Sequence, residues 1–158
     1  MILGISASGR PKGVISEAVK AILTASGSEY EYISLSNKNI RGCIGCTKCA
    51  SDNRCKVRDD WQEIEEKMLK ADAIVFGTPN YYNSINASGH ACLERTFCFR
   101  HREIYDLAGK LGVVVSSGYN KENNVVNSFI EKMMLSNKMA VVAKVNCSGY
   151  SQCYTCGY

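Results

Sequence analysis

Cys43-Ile44-Gly45-Cys46-Thr47-Lys48-Cys49, followed by Cys55, places four thiols in the pattern C-x2-C-x2-C-x5-C within thirteen residues. Thiolates are soft metal ligands, and two-residue steps let a short chain turn several sulfurs toward one centre. Gly42 and Gly45 permit the backbone angles that such wrapping needs. Four thiolates suit a [4Fe-4S] cluster or a tetrahedral zinc ion. Three cysteines in a run are more typical of iron-sulfur proteins, whereas zinc ribbons split theirs into two distant C-x2-C pairs. Cys55 is close enough in sequence to complete the same centre.

A second group of residues suits an anion. Ser6, Ser8, Arg10, Lys12 and Ser16 surround the turn Ala7-Ser8-Gly9-Arg10-Pro11-Lys12-Gly13. A helix N-terminus offers free backbone N–H groups, and Arg10 adds a charge-assisted donor. The turn is neither G-x-G-x-x-G nor G-x-x-x-x-G-K-[ST], so a dinucleotide fingerprint and a triphosphate loop are both missing. A terminal monophosphate fits better, against the plainer alternative of a surface turn whose hydroxyls cap a helix. Two further polar stretches, Thr78-Pro79-Asn80-Tyr81-Tyr82-Asn83 and Ser116-Ser117-Gly118-Tyr119, each follow an apolar run. Tyr81 and Tyr82 supply flat amphipathic walls.

The elements that must position these groups alternate along the chain. Residues 1–6, 29–35, 72–77, 111–115 and 139–145 read as strands, and the central ones are continuously apolar. Helices are expected over residues 14–25, 61–70, 87–99 and 123–136. The first carries Val14, Ala18, Ala21, Ile22 and Ala25 at helical spacing, with Gly27 as a C-terminal cap. The second should begin at an Asp60–Glu63 capping box and turn Trp61, Ile64, Met68 and Leu69 inward. The fourth sets Val126, Phe129, Ile130, Met133 and Met134 on one face. Alternating strands and helices with apolar strands predict a parallel sheet covered on both faces, in a single domain of residues 1–158. Ligands of such sheets bind beyond the carboxyl ends of the strands, the edge from which all three polar loops start. The chain stops at Tyr158, soon after the fifth strand, where a doubly wound sheet would carry a last helix. Either the chain is truncated there or a partner covers that sheet face, and association is expected.

Composition closes off several function classes. The 158 residues are 46% hydrophobic and 22% charged, with a formal net charge of +4. That excludes disorder, coiled coil and collagen-like repeats. No apolar run reaches the roughly 18 residues of a membrane span, and no basic block supports nucleic-acid binding. Nine cysteines is an odd number, and no secretory signal opens the chain, so reduced thiols in the cytoplasm are expected.

Ile5-Ser6-Ala7-Ser8-Gly9-Arg10, Gly77-Thr78-Pro79-Asn80-Tyr81-Tyr82 and Leu93-Glu94-Arg95, in that order, resemble the flavodoxin-like FMN reductase family. With the cysteine run they resemble, more narrowly, the iron-sulfur flavoproteins. The resemblance covers nearly the whole chain. It implies a five-stranded parallel sheet of order 2-1-3-4-5 that binds FMN. By similarity Ser6, Ser8, Arg10, Ile15 and Ser16 would hold the FMN phosphate. Pro79, Asn80, Tyr81, Tyr82, Asn83, Ser84 and Ile85 would pack against the isoalloxazine ring, with Ser116, Ser117, Gly118 and Tyr119 closing over its pyrimidine side. Cys43, Cys46, Cys49 and Cys55 would hold a [4Fe-4S] cluster. The chain departs from the family at Val14-Ile15-Ser16, where Ser-Asn-Thr is usual, at His90 for a Lys and at Glu94 for an Asp. Relatives without a cluster also carry cysteines in this loop.

The remaining candidates read more plainly. Cys92 and Cys98 suit core positions. Cys147, Cys153 and Cys156 suit a second metal site, a redox pair or simply a cysteine-rich tail. Asp59 and Asp60 suit a helix cap better than an acid–base pair. His90 and His101 have no nucleophile motif beside them. Arg95, Arg100, His101 and Arg102 suit a solvated helix end, or a docking patch for an acidic donor. The expected function is FMN-dependent redox chemistry, with ferredoxin or NAD(P)H as electron donor, in a homodimer or homotetramer. The alternatives are a cluster-free NAD(P)H-dependent FMN or quinone reductase, and a zinc-stabilised binding module.

Overall fold

Leu3 and Ile5 point to one face of the strand Ile2–Ser6 (β1), and Gly4 points to the other. The computed structural model, which describes residues 1–118 and 124–148, carries that alternation across the whole sheet. After β1 come α1 (Val14–Ala25), β2 (Tyr30–Ser34), α2 (Trp61–Lys70), β3 (Ala73–Tyr81), β4 (Ser84–Ile85), α3 (Ala87–Arg95), β5 (Leu111–Gly118), α4 (Asn124–Ser136) and β6 (Ala140–Ser148). The sheet order is β2-β1-β3-β5-β6, all parallel, and β4 folds back antiparallel on the end of β3. Leaving β4 aside, the five parallel strands have the expected order 2-1-3-4-5.

The two faces are filled unequally. Leu3, Ile5, Ile74, Phe76 and Val114 face a large core shared with Trp61, Ile64 and Met68 of α2, Cys92 and Leu93 of α3, and Val126, Ile130 and Met134 of α4. Val75 and Val115 face a small core made with Ile15, Val19 and Leu23 of α1. α1 lies close to the strands because Gly4 and Gly77 lack side chains. A Cβ on Gly4 would come within 2.4 Å of Leu23 Cδ1, and one on Gly77 within 2.7 Å of Val19 Cγ2. The buried stripe of α1 is thus Ile15, Val19 and Leu23, one position beyond the Val14, Ala18, Ala21, Ile22 and Ala25 set expected. Small alanines at helical spacing mimicked a core face, while the larger β-branched and leucine side chains took it.

Other boundaries also shift. The predicted loops at 78–83 and 116–118 are largely strand: β3 runs on to Tyr81 and β5 to Gly118. The predicted helix 87–99 ends at Arg95 and tightens into a 3-10 turn over Thr96–Arg100. On α4, Phe129 is exposed and Asn127 is buried. Among the described residues no helix is long and apolar enough to cross a membrane. Cys153 and Cys156 lie outside the described residues, whereas Cys147 is half-buried against the small core.

Candidate functional site

The ends of β1, β3 and β5 lie side by side, with Ser6 opposite Gly77 and Thr78 opposite Ser116 in the ladders. The Ala7 amide donates to Gly77 O at 2.8 Å, so the chain leaves β1 along the edge. The turn that follows is closed from beneath. Ser6 Oγ and Ser16 Oγ are 3.0 Å apart, and Ser16 Oγ donates to Arg10 O at 3.1 Å. Both serines are fully buried. Ser8 Oγ accepts the Arg10 N–H at 3.1 Å, and the Arg10 side chain is exposed. Ile15 spends its side chain on the small core. Gly13, the N-cap of α1, provides no side-chain cap. The first-turn amides of α1 therefore face the edge as donors without a side-chain acceptor, a fit for a phosphate.

The second loop is a hairpin. Tyr82 and Asn83 both have positive φ, 55° and 58°, as a two-residue type I′ turn requires. Asn tolerates that region readily; a tyrosine there is uncommon. Tyr82 projects fully into solvent and Tyr81 is more than half exposed, so both rings stand above the edge. Pro79 and Asn80 are half-buried in β3, Ser84 is exposed and Ile85 is buried. Ser84 Oγ lies 3.2 Å from His90 Nε2.

Asn86, which the sequence reading passed over, organises this corner. Its Oδ1 accepts from Thr78 Oγ1 at 3.0 Å and from the Gly89 amide at 3.2 Å, and its Nδ2 donates to Ala7 O. One side chain thus caps α3 and ties together the ends of β1 and β3. An Asn directly before a helical run is a cap signal that could have found it. At the third loop, Ser116 Oγ donates to Asn146 Oδ1 at 2.8 Å, which also accepts from Asn127 Nδ2 at 2.6 Å. Ser117 and Gly118 are half-buried. Tyr119 lies outside the described residues.

The cysteine segment forms a separate site. Cys43, Cys46, Cys49 and Cys55 line one small cleft, together with Arg95 and Phe97. Cys43 is exposed and the other three are half-buried. The segment turns through positive φ at Gly45 (64°), Thr47 (55°) and Asn53 (58°) and has one 3-10 turn, Lys48–Ser51. Buried Asn53 staples it to the segment after α3, donating to Ile104 O at 3.1 Å and accepting from the His101 amide at 3.2 Å.

Among the described residues no three Cys, His, Asp or Glu side chains are gathered round one metal ion. A single zinc ion needs sulfurs about 2.3 Å from the metal, hence within roughly 4 Å of one another. A four-iron cluster takes each thiolate on a different iron and sets them further apart. The four thiols share one cleft, and a donor set of four cysteines is the kind that either centre uses. Burial, reinforced by the neighbouring thiols, pushes the Cys49 thiol up. Cys92 and Cys98 are buried core residues as expected: burial pushes Cys92 to about 12, and burial followed by Glu65 pushes Cys98 higher still. Buried Glu65 accepts from the Cys98 thiol at 3.4 Å and from the Cys55 amide at 2.9 Å.

Behind the cleft lies a buried ion pair. Arg95 Nη1 donates to Asp59 Oδ2 at 2.8 Å, with both side chains essentially inaccessible (0% and 3% exposed). This corrects the solvated-helix-end expectation for Arg95. Burial alone would raise the Asp59 carboxyl, but the Arg95 hydrogen bond and the amides of Arg41 and Trp61 outweigh it and hold it below the usual carboxylate range. Asp59 is also the true cap of α2. Its Oδ1 accepts the Trp61 amide at 3.1 Å, and its own amide donates to Gln62 Oε1 at 3.0 Å. The predicted Asp60–Glu63 box is therefore off by one residue; Asp60 instead accepts the Asn39 amide at 2.6 Å.

A flavodoxin-like α/β fold is the class that this strand order and sheet edge define. The NADPH-dependent FMN reductase family pattern matches residues 1–150, and the chain belongs to that family. It is 33% identical over 147 residues to an iron-sulfur flavoprotein of Methanocaldococcus jannaschii, covering 89% of this chain and 75% of that protein. It is likewise 33% identical over 128 residues to an iron-sulfur flavoprotein of Archaeoglobus fulgidus, covering 78% of this chain and 57% of that one. The chain thus spans little more than half the length of the second relative. Among solved structures, an NADH:FMN oxidoreductase in its apo form superposes with a TM-score of 0.64 at 17% identity, over 91% of this chain and 74% of that one. RosB, solved with 8-demethyl-8-formylriboflavin-5'-phosphate, superposes at 0.74 and 16% identity, over 96% and 66%. Both likenesses concern the fold.

Proposed function

We propose that this protein is an FMN oxidoreductase of iron-sulfur flavoprotein type, with FMN at the carboxyl edge of the sheet and a [4Fe-4S] cluster in the cysteine cleft. The observation that carries the reading is the sharing of one cleft by Cys43, Cys46, Cys49 and Cys55. The named relatives support it. When bound, FMN supplies hydride and single-electron chemistry and the cluster supplies single electrons.

The chain's own residues bind and orient. The amides at the start of α1 and the Arg10 guanidinium offer donors to the phosphate. Tyr81, Tyr82 and the β3–β4 hairpin offer a flat wall to the ring, and Ser116 to Gly118 border its other side. Asn86 holds the first two of these loops in register. Cys43, Cys46, Cys49 and Cys55 would ligate the cluster, in a cleft also lined by Arg95 and by Lys56, which is ion-paired with Asp52. No side chain is assigned as an acid or base. A soluble one-electron carrier such as ferredoxin is the proposed donor, and NAD(P)H the alternative. Cytoplasmic location and a homodimer or homotetramer complete the reading.

A second reading keeps FMN and leaves the cleft empty: an NAD(P)H-dependent FMN or quinone reductase. It is supported by the match to the NADPH-dependent FMN reductase family over residues 1–150. Anaerobic purification, with a visible spectrum and iron, sulfide, zinc and FMN analyses on one sample, separates the readings. About four irons per chain beside flavin bands is the expected result. Flavin without metal supports the second reading, and zinc without flavin rejects both.

A further inference from the structure

The cysteine segment has almost no regular structure, yet both of its stems are gripped by two consecutive residues of α3. Glu94 Oε2 accepts the Cys43 amide at 3.2 Å, and it lies where a Cβ on Gly42 would come within 2.7 Å. Arg95 spans both stems, with Nη1 donating to Arg41 O at 2.9 Å and Nη2 to Val57 O at 3.0 Å. Its Nε donates to Cys55 Sγ at 3.1 Å. Asp59, the counter-charge, itself accepts the Arg41 amide at 3.0 Å. The Arg95 guanidinium lies 5.5 Å from the Trp61 ring centroid. The guanidinium therefore joins the residue two before the first thiol, the last thiol and the residue two beyond it.

Burying a guanidinium is costly unless its donors are used. An apolar side chain would seal the gap beside Trp61 and Phe99 without that cost, but it would not hold two backbone carbonyls and a sulfur in one plane. The fixed fork of arginine does this, and a lysine cannot.

We infer that Glu94 and Arg95 are the positioning pair of the cysteine cleft. They set the first and last thiols in place before metal enters, and the Arg95 Nε–H···Sγ bond raises the reduction potential of a cluster ligated by Cys55. This rests on the iron-sulfur reading above. The physical reason for the potential is that reduction adds negative charge, part of which resides on the ligand sulfurs. A cationic donor aimed at one of them stabilises the reduced form more than the oxidised form. Outer partners of metal ligands commonly change metal retention by roughly 10- to 100-fold.

The test uses the full chain reconstituted without oxygen. Three quantities are read: FMN per chain, the rate of iron loss to a ferrous chelator, and the midpoint potential of the cluster. Arg95→Lys keeps a cation for Asp59 and loses the fork. It is expected to keep its FMN, lose iron roughly 10- to 100-fold faster and show a lower midpoint potential. Glu94→Ala touches an amide and no sulfur, so faster iron loss at an unchanged potential is expected. If Arg95→Lys does not fold, the double variant Arg95→Met with Asp59→Asn removes both buried charges and should show the same two changes. Wild-type iron retention and potential in the folded Arg95 variant overturn the positioning role alone. A wild-type protein that binds FMN and takes up no iron overturns the iron-sulfur reading and this inference with it.

Discussion

The sheet edge proposed for FMN and the cysteine cleft are built on opposite principles. The edge is made from strand ends, so its loops are placed by sheet hydrogen bonds and by neutral side chains such as Ser16, Thr78 and Asn86. The cleft is made from a segment with one short turn, placed by side chains that reach in from α2 and α3 and by its own Asn53 reaching out to the backbone after α3. Its central fastener is a buried ion pair, the most context-dependent kind of interaction. A site on a sheet edge inherits its geometry from the fold. A site on an irregular loop must be held by specific contacts, each a single point of failure.

The difference can be broken or sharpened by substitution. The largest effect should come from Cys46→Ser: iron should fall to near zero while FMN content stays at the wild-type level. Loss of both cofactors together would show that the two regions are not independent. Next comes Arg95→Met, which strands the buried Asp59 carboxylate. A loss of about 3–5 kcal/mol is expected in urea unfolding, most of it recovered on adding Asp59→Asn. Trp61, the sole tryptophan, is buried against Phe99 and Arg95 and reports the transition by fluorescence.

Gly77→Ala should cost roughly 1–3 kcal/mol by overpacking α1 against the sheet, since its Cβ would meet Val19 and Ile15 at 2.7 and 2.8 Å. Because the proposed phosphate donors lie at the start of α1, FMN affinity should weaken while iron content holds. Asn86→Ala should cost about 1 kcal/mol as a lost cap, again with weaker FMN binding.

The smallest effect is in pH. The folded-state pKa of Asp59 is lowered, so its contribution is fully present above the ordinary carboxylate value near 3.9. It is lost as pH falls through the lower folded value. Amide exchange below about pH 4 should therefore open the cysteine segment before the sheet edge, and Asp59→Asn should remove that order.

Much of the edge was legible in the sequence because it depends on short-range patterns. Apolar runs followed by Ser6, Thr78 and Ser116 marked the approach to the strand ends, although β3 and β5 run on to Tyr81 and Gly118, and alternation with helices implied a parallel sheet, which puts those ends on one side. The hairpin at Tyr82-Asn83 was not legible, since a type I′ turn normally announces itself with Asn-Gly and here a tyrosine takes a positive φ. The α1 face was misread because alanines carry helical spacing without carrying burial. The spacing of Cys43, Cys46, Cys49 and Cys55 was plain in the sequence, and so was the helix cap near Asp59. That the Asp59 cap also neutralises Arg95, 36 residues away in sequence, was not.

By itself the sequence determined the order and type of the main elements, the edge at which a ligand must bind and the residue types able to bind it. Each of these follows from local periodicity and from the rule that parallel strands end together. Only the tertiary structure decided which side chains reach across: Asn86 to Ala7, Arg95 to Cys55, Glu94 to Cys43. Contacts of that kind join residues 40 to 80 positions apart, and their strength comes from burial, which exists only once the chain has folded.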